Sequence, residues 1–227
     1  MYTMWPGCYS FRDEIKMFLT WFKDQAEALI LKIYEIDRLM KLYLNAIFYE
    51  DNPISYCRWD KIYRRKILTE NLDFLNTNIS LGEDVNTNVA VIPDCKKIIV
   101  LNNTPKYHYR INDASISNTY NEKQIYGIIE LYNTLMRIAE KKSVDKEDIS
   151  VFIGNMVFEE INKVIFLKGG SANKKRNIIK WLLGLAPNGV LRAYGKARNR
   201  IAIRLYCELL DRRIVWLSMF IRKCYGK

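Results

Sequence analysis

Residues 10–48 read SFRDEIKMFLTWFKDQAEALILKIYEIDRLMKLYLNAIF. Apolar side chains recur at Phe11, Ile15, Phe18, Phe22, Ala26, Leu29, Ile33, Ile36, Met40, Tyr43 and Ile47. Ten steps cover the 36 residues from Phe11 to Ile47, a mean of 3.6, which is the α-helical period. Ser10 is placed to cap such a helix, and Asp13 in its first turn suits the N-terminal dipole. The pattern predicts a helix from about Phe11 to Phe48, roughly 60 Å long if unbroken. Trp21, Leu31, Leu42 and Leu44 widen its apolar face beyond a coiled-coil seam. That favours the spine of a helical bundle, with homo-oligomerisation through this helix as the competing use.

Outward from this stretch, Asp51-Asn52-Pro53 ends the helix. A second helix is expected over about Ser55–Leu75, carrying the basic cluster Arg64-Arg65-Lys66, and the polar Asn76–Asn88 reads as loop. Val89–Ile92 and Lys97–Leu101 are short β-branched runs around the turn Pro93-Asp94-Cys95-Lys96. Together with the alternating Lys106–Ile111 they predict a small β-hairpin insertion at about 88–112. Asn121 with Gln124 resembles a capping box, and the helix after it uses Ile125, Ile128, Tyr132, Leu135 and Ala139. Asp145 opens the next helix, which Gly169-Gly170 stops.

The last region reads as a helix over Asn173–Leu183, a turn from Gly184 to Gly189, and a long helix over Val190–Lys223. This pair loosely resembles a helix-turn-helix. Its six-residue turn containing Pro187 is longer than the usual three or four residues, so no base-reading residues are implied. The fold expected is mainly α: a helical bundle with a long N-terminal helix, the hairpin insertion and a basic C-terminal pair of helices. Gly169-Gly170-Ser171 divides a helical body, 1–170, from a basic module, 171–227, unless the two form one continuous domain.

Charge is distributed unevenly. The 227-residue chain carries a net +11, yet residues 161–227 hold sixteen Lys and Arg against only Glu208 and Asp211. Half of those sixteen are arginine, the side chain suited to bidentate phosphate contact. Such asymmetry points to a polyanionic partner. Arg192, Lys196, Arg200 and Arg204 fall every four residues, so one continuous helix would set them in a single row. Arg198 lies nearby on another face, and Lys174, Lys175, Arg176 and Lys180 just upstream join the expected surface. Leu191, Tyr194, Ile201 and Leu205 are assigned to the opposite, packing side, with Tyr194 and Trp181 also candidates for base stacking.

Other chemistry finds less support. Five cysteines at wide spacings and one histidine, His108, offer neither a disulfide framework nor paired zinc ligands. No cofactor is expected. Gly169 to Lys175 lacks P-loop spacing, although its lysines near a helix start suit a single phosphate. Glu83, Asp94 and Lys96 outline a metal-dependent nuclease, but Pro-Asp also suits a turn for backbone reasons alone. Met1–Ser10 lacks the basic start and apolar run of a secretory leader, and no segment reads as a membrane span. An intracellular, reducing setting is expected. Ile, Lys, Asn and Tyr usage suits an AT-rich genome, as in viruses or mobile elements.

The function these features predict is non-enzymatic nucleic-acid binding, DNA or RNA, through the phosphate backbone. Two alternatives remain open: an adaptor or inhibitor docking on an acidic partner protein, and the nuclease. A membrane surface is disfavoured, because the apolar faces are assigned to the core.

Overall fold

The computed structural model describes residues 31–32, 36–44, 56–58, 61–101, 120–198 and 200–225. The chain divides into two compact units. In the first, Met1–Ile33 with Ile98–Lys106, the described feature is a two-residue antiparallel pair. Strand β1 (Leu31–Lys32) sets Leu31 opposite Leu101 and Lys32 opposite Val100 of β2 (Val100–Leu101).

The second unit is helical. Among the described residues it contains α1 (Ile36–Leu44), α2 (Arg65–Thr69), α3 (Glu83–Val91), α4 (Gln124–Lys141), α5 (Lys146–Phe166), α6 (Ala172–Leu185), α7 (Val190–Ala197), α8 (Ile201–Asp211) and α9 (Val215–Tyr225). Helix α5 is the hub, with twelve buried residues from Ile149 to Ile165. Helices α1, α4, α6 and α7 all pack on it. Asp145 starts it as expected, its carboxylate accepting the Glu147 N–H at 2.7 Å. Helix α4 buries Ile125, Ile128, Leu131, Leu135 and Ile138 in one stripe. Before it, Asn121 accepts the Lys123 N–H at 2.9 Å; this is an Asx turn, not the reciprocal capping box.

Close approach fixes the α5–α7 and α7–α8 contacts. A Cβ on Gly154 would lie 2.1 Å from the Val190 carbonyl oxygen, and one on Gly195 would lie 2.7 Å from Cys207 Cβ. Helix α9 returns to the hub through Arg222, whose Nε donates to Asn162 Oδ1 at 2.9 Å.

Several expectations are corrected. The N-terminal helix is not one rod from Phe11 to Phe48, because Leu31–Lys32 is extended and α1 starts at Ile36; the rest of that stretch lies outside the described residues. In α1, Leu39, Met40, Tyr43 and Leu44 are buried within the chain. The hairpin is absent among the described residues. Val89–Val91 ends α3, Ile92–Asp94 is a 3₁₀ turn, and Val100–Leu101 pairs with β1; Lys106–Ile111 and His108 fall outside the described residues. The stretch mimics a strand because α3 is buried on every side from Val85 to Val91 and shows no amphipathic stripe. Its start is helical chemistry, with Glu83 and Asp84 in the first turn. Lastly, the described residues of Ser55–Leu75 hold only the short α2 and a 3₁₀ turn, and Val190–Lys223 is three helices.

Candidate nucleic-acid interface

Helix α7 ends when the Arg198 N–H closes on the Tyr194 carbonyl at 3.1 Å, and Arg200 re-enters extended backbone as the N-cap of α8. The expected single row of cations is therefore split. Arg192 and Lys196 belong to α7, Arg200 and Arg204 to α8. The break brings Arg192 against carboxylates: Nη2 lies 2.7 Å from Asp211 and Nε 3.3 Å from Glu208. Glu208 also takes Arg212 Nε at 2.9 Å. The Arg212 hydrogen bond, with Arg192 beside it, holds the Glu208 carboxyl below its usual range. Arg192 is thus a structural ion-pair partner and not a free cation.

Three cations gather where α7 meets α8. Lys196 is in the last turn of α7, next to Gly195; a Cβ on Gly195 would sit 3.4 Å from Arg204 Cα. Arg200 and Arg204 are one turn apart, joined by the Arg204 N–H to the Arg200 carbonyl at 3.1 Å. All three are exposed, and no ion pair involves them among the described residues.

Beside them stand two residues assigned to packing that do not pack. Ile201 is 87% exposed and Leu205 50%. The buried side of α8 is Tyr206, Cys207, Leu209 and Leu210. Leu191 and Tyr194 do pack, as expected. Tyr194 is enclosed against Phe158, ring centroids 5.0 Å apart, so it is no stacking platform. Half-buried Arg198 lies 5.7 Å over the same ring. The sequence gives no signal for this exposure, because it depends on the break before α8, where no Gly or Pro stands.

The upstream cations stand on a different helix. Helix α6 packs on α4, α5 and α9, whereas α8 packs on α7 and α9. Lys175 Nζ donates to the Ile165 and Leu167 carbonyls at 3.0 and 2.6 Å, capping the end of α5. Arg176 is half-buried. Lys174 and Lys180 are exposed, and Trp181 meets Tyr126 edge-on at 6.1 Å. The Ser171 hydroxyl accepts the Lys174 N–H at 3.3 Å, so the start of α6 is capped from within.

The nuclease residues are not assembled. Glu83 opens α3 and Asp94 lies beyond its other end, a helix about 13 Å long between them. Lys96 is exposed. Among the described residues no group of three His, Cys, Asp or Glu is placed to hold a metal. Asp94 instead accepts from Lys142 Nζ at 2.7 Å and Asn71 Nδ2 at 2.9 Å, and the same ammonium donates to the Ala90 carbonyl at 2.5 Å. Burial alone would raise the Asp94 carboxyl, but these two hydrogen bonds and the Lys142 charge outweigh it and hold it below its usual range. For a depressed acid, the stability gained is present above the unfolded-state value and is lost as pH falls through the folded-state value. Asp94→Asn is expected to flatten the acid limb of a plot of urea midpoint against pH. The cost at neutral pH is about 1 kcal/mol, modest because the Asp94 side chain is 43% exposed. An unchanged acid limb would show that Lys142 does not stabilise the anion.

Comparison with known protein families, curated proteins and solved structures finds no match to this chain. No helix among the described residues is long and apolar enough to cross a membrane.

Proposed function

We propose that this chain binds nucleic acid through the phosphate backbone, without catalysis, at the corner between α7 and α8. One observation carries the reading: Lys196, Arg200 and Arg204 cluster there, exposed and without ion-pair partners among the described residues. Several other basic residues of the C-terminal third are engaged within the chain. Arg192 and Arg212 meet Glu208, Lys175 caps α5, and Arg222 binds Asn162. Cations held unpaired repel one another, and phosphates with released counterions relieve that cost.

Three phosphate contacts give a slope of log affinity on log salt of roughly −2 on a single strand to −3 on a duplex. Reversing all three charges, Lys196→Glu with Arg200→Glu and Arg204→Glu, is expected to weaken binding of an oligonucleotide by roughly 100-fold at ~50 mM salt and to remove most of the slope. Because the side chains face water, Tm is expected to hold. Arg192→Ala should leave binding nearly unchanged. Anisotropy titrations across salt concentrations check this, and full binding by the triple variant would overturn the assignment.

A further inference from the structure

We infer, resting on the reading just given, that the strand bound at this corner is unpaired, its phosphates on Lys196, Arg200 and Arg204 and its base faces on Ile201 and Leu205. Helix α8 shows two parallel rows on its outward side. Arg204, with Arg200 at the N-cap before it, forms one, and Ile201 and Leu205 form the other, this pair one turn apart and so about 5–6 Å between Cβ atoms. The rows are one residue out of step, about 100° around the helix. The aliphatic pair is not needed by the core, which takes Tyr206, Cys207, Leu209 and Leu210 from the other side.

The ligand must therefore offer anionic and apolar surface side by side on the scale of one helical turn. A duplex does not, since it presents phosphates and keeps its base faces stacked inside. Set on a duplex backbone, Ile201 would face anions or water and gain nothing. An unpaired strand turns base faces outward next to its phosphates and satisfies both rows. An anionic bilayer also combines the two chemistries, but it calls for a broad free apolar face. The broad apolar face of α8 is the buried one; the large apolar side chains it leaves exposed are Ile201 and Leu205.

The test compares single-stranded and duplex DNA of one length at fixed salt, using the whole chain and an Ile201→Ser, Leu205→Ser variant, with vesicles of phosphatidylcholine and phosphatidylserine as a third probe. The expected result is tighter binding of the single strand by the unaltered chain. The serine variant then loses about tenfold on the single strand alone, with its salt slope intact. Two results would overturn the inference and leave backbone binding standing: no strand preference, or a serine effect equal on both forms. Absence of binding to either DNA would remove the underlying reading instead. Vesicle binding abolished by serine, without strand preference, would make a bilayer the occupant and overturn the inference.

Discussion

Gly154→Ala is expected to destabilise the protein by about 3 kcal/mol, reversing the sign that helix propensity assigns to the change. Alanine is worth about 1 kcal/mol more than glycine in a helix interior, and Gly154 lies in the middle of α5. Here its Cβ would sit 2.1 Å from the Val190 oxygen and 2.7 Å from Tyr194 Cβ. The first of these is backbone, so no flexible side-chain end can move aside. Either α7 shifts bodily off α5 or the helix is distorted, and overpacking of this kind costs about 1–3 kcal/mol or more. For a chain of this size, Tm falls by roughly 6–12 °C. Gly184→Ala on α6 provides the contrast. Nothing lies within 4 Å of its added Cβ, and a gain of about 0.5 kcal/mol is expected. Urea unfolding of both variants checks the pair, and equal shifts would mean that α5 and α7 do not meet as closely as described. The effect reaches the proposed site, because the clashing carbonyl belongs to the first residue of α7, the helix that carries Lys196.

What the sequence made legible follows from how each helix meets water. Helices α4 and α6, each half solvated, show the period that predicted them. Asp145 and Gly169-Gly170 mark the ends of the hub helix within a few residues. Helix α3 was illegible because both its faces are buried, and an apolar run with polar residues all satisfied internally has no period to read. The two breaks after Val190 were illegible for another reason. Residues 198–200 contain neither Gly nor Pro, and the turn after α8 is made by Arg213, a non-glycine with φ 59°. Tertiary packing overrides a continuous helical pattern there. In one straight helix Arg192 and Glu208 would be about 24 Å apart, yet they form an ion pair at 3.3 Å. The same break that spends Arg192 brings Lys196 beside the start of α8 and leaves Ile201 outside the core. The cationic composition of the site was therefore readable, and its aliphatic half was not.

The polar counterpart of the Gly154 contact is Asn88, and Asn88→Leu is expected to cost about 3 kcal/mol although leucine nearly matches its volume. Asn88 is fully buried in α3. Its amide nitrogen donates to Tyr43 Oη and to the Tyr56 carbonyl, both at 3.0 Å, and its amide oxygen accepts from Tyr63 Oη. One side chain thus ties α3 to α1 and to the segment before α2. Each bond contributes about 1 kcal/mol, and the groups left behind add a desolvation penalty because they are shielded from water. Burial already holds the Tyr43 hydroxyl well above its ordinary value, with the Asn88 bond offsetting this only in part. Tyr43→Phe alone loses two bonds, the one from Asn88 and a longer one that its hydroxyl donates to the Tyr56 carbonyl at 3.4 Å, and is expected to cost about 1–2 kcal/mol. Added to Asn88→Leu, it should cost less than it does alone, since only the longer bond to the Tyr56 carbonyl is then left to lose. A double-mutant cycle by urea unfolding reads this coupling. Strict additivity would show that Tyr43 and Asn88 do not share a bond, and that α1 is held by the rings of Tyr43 and Tyr56, 5.3 Å apart, and by their hydroxyls on the Tyr56 and Leu44 carbonyls.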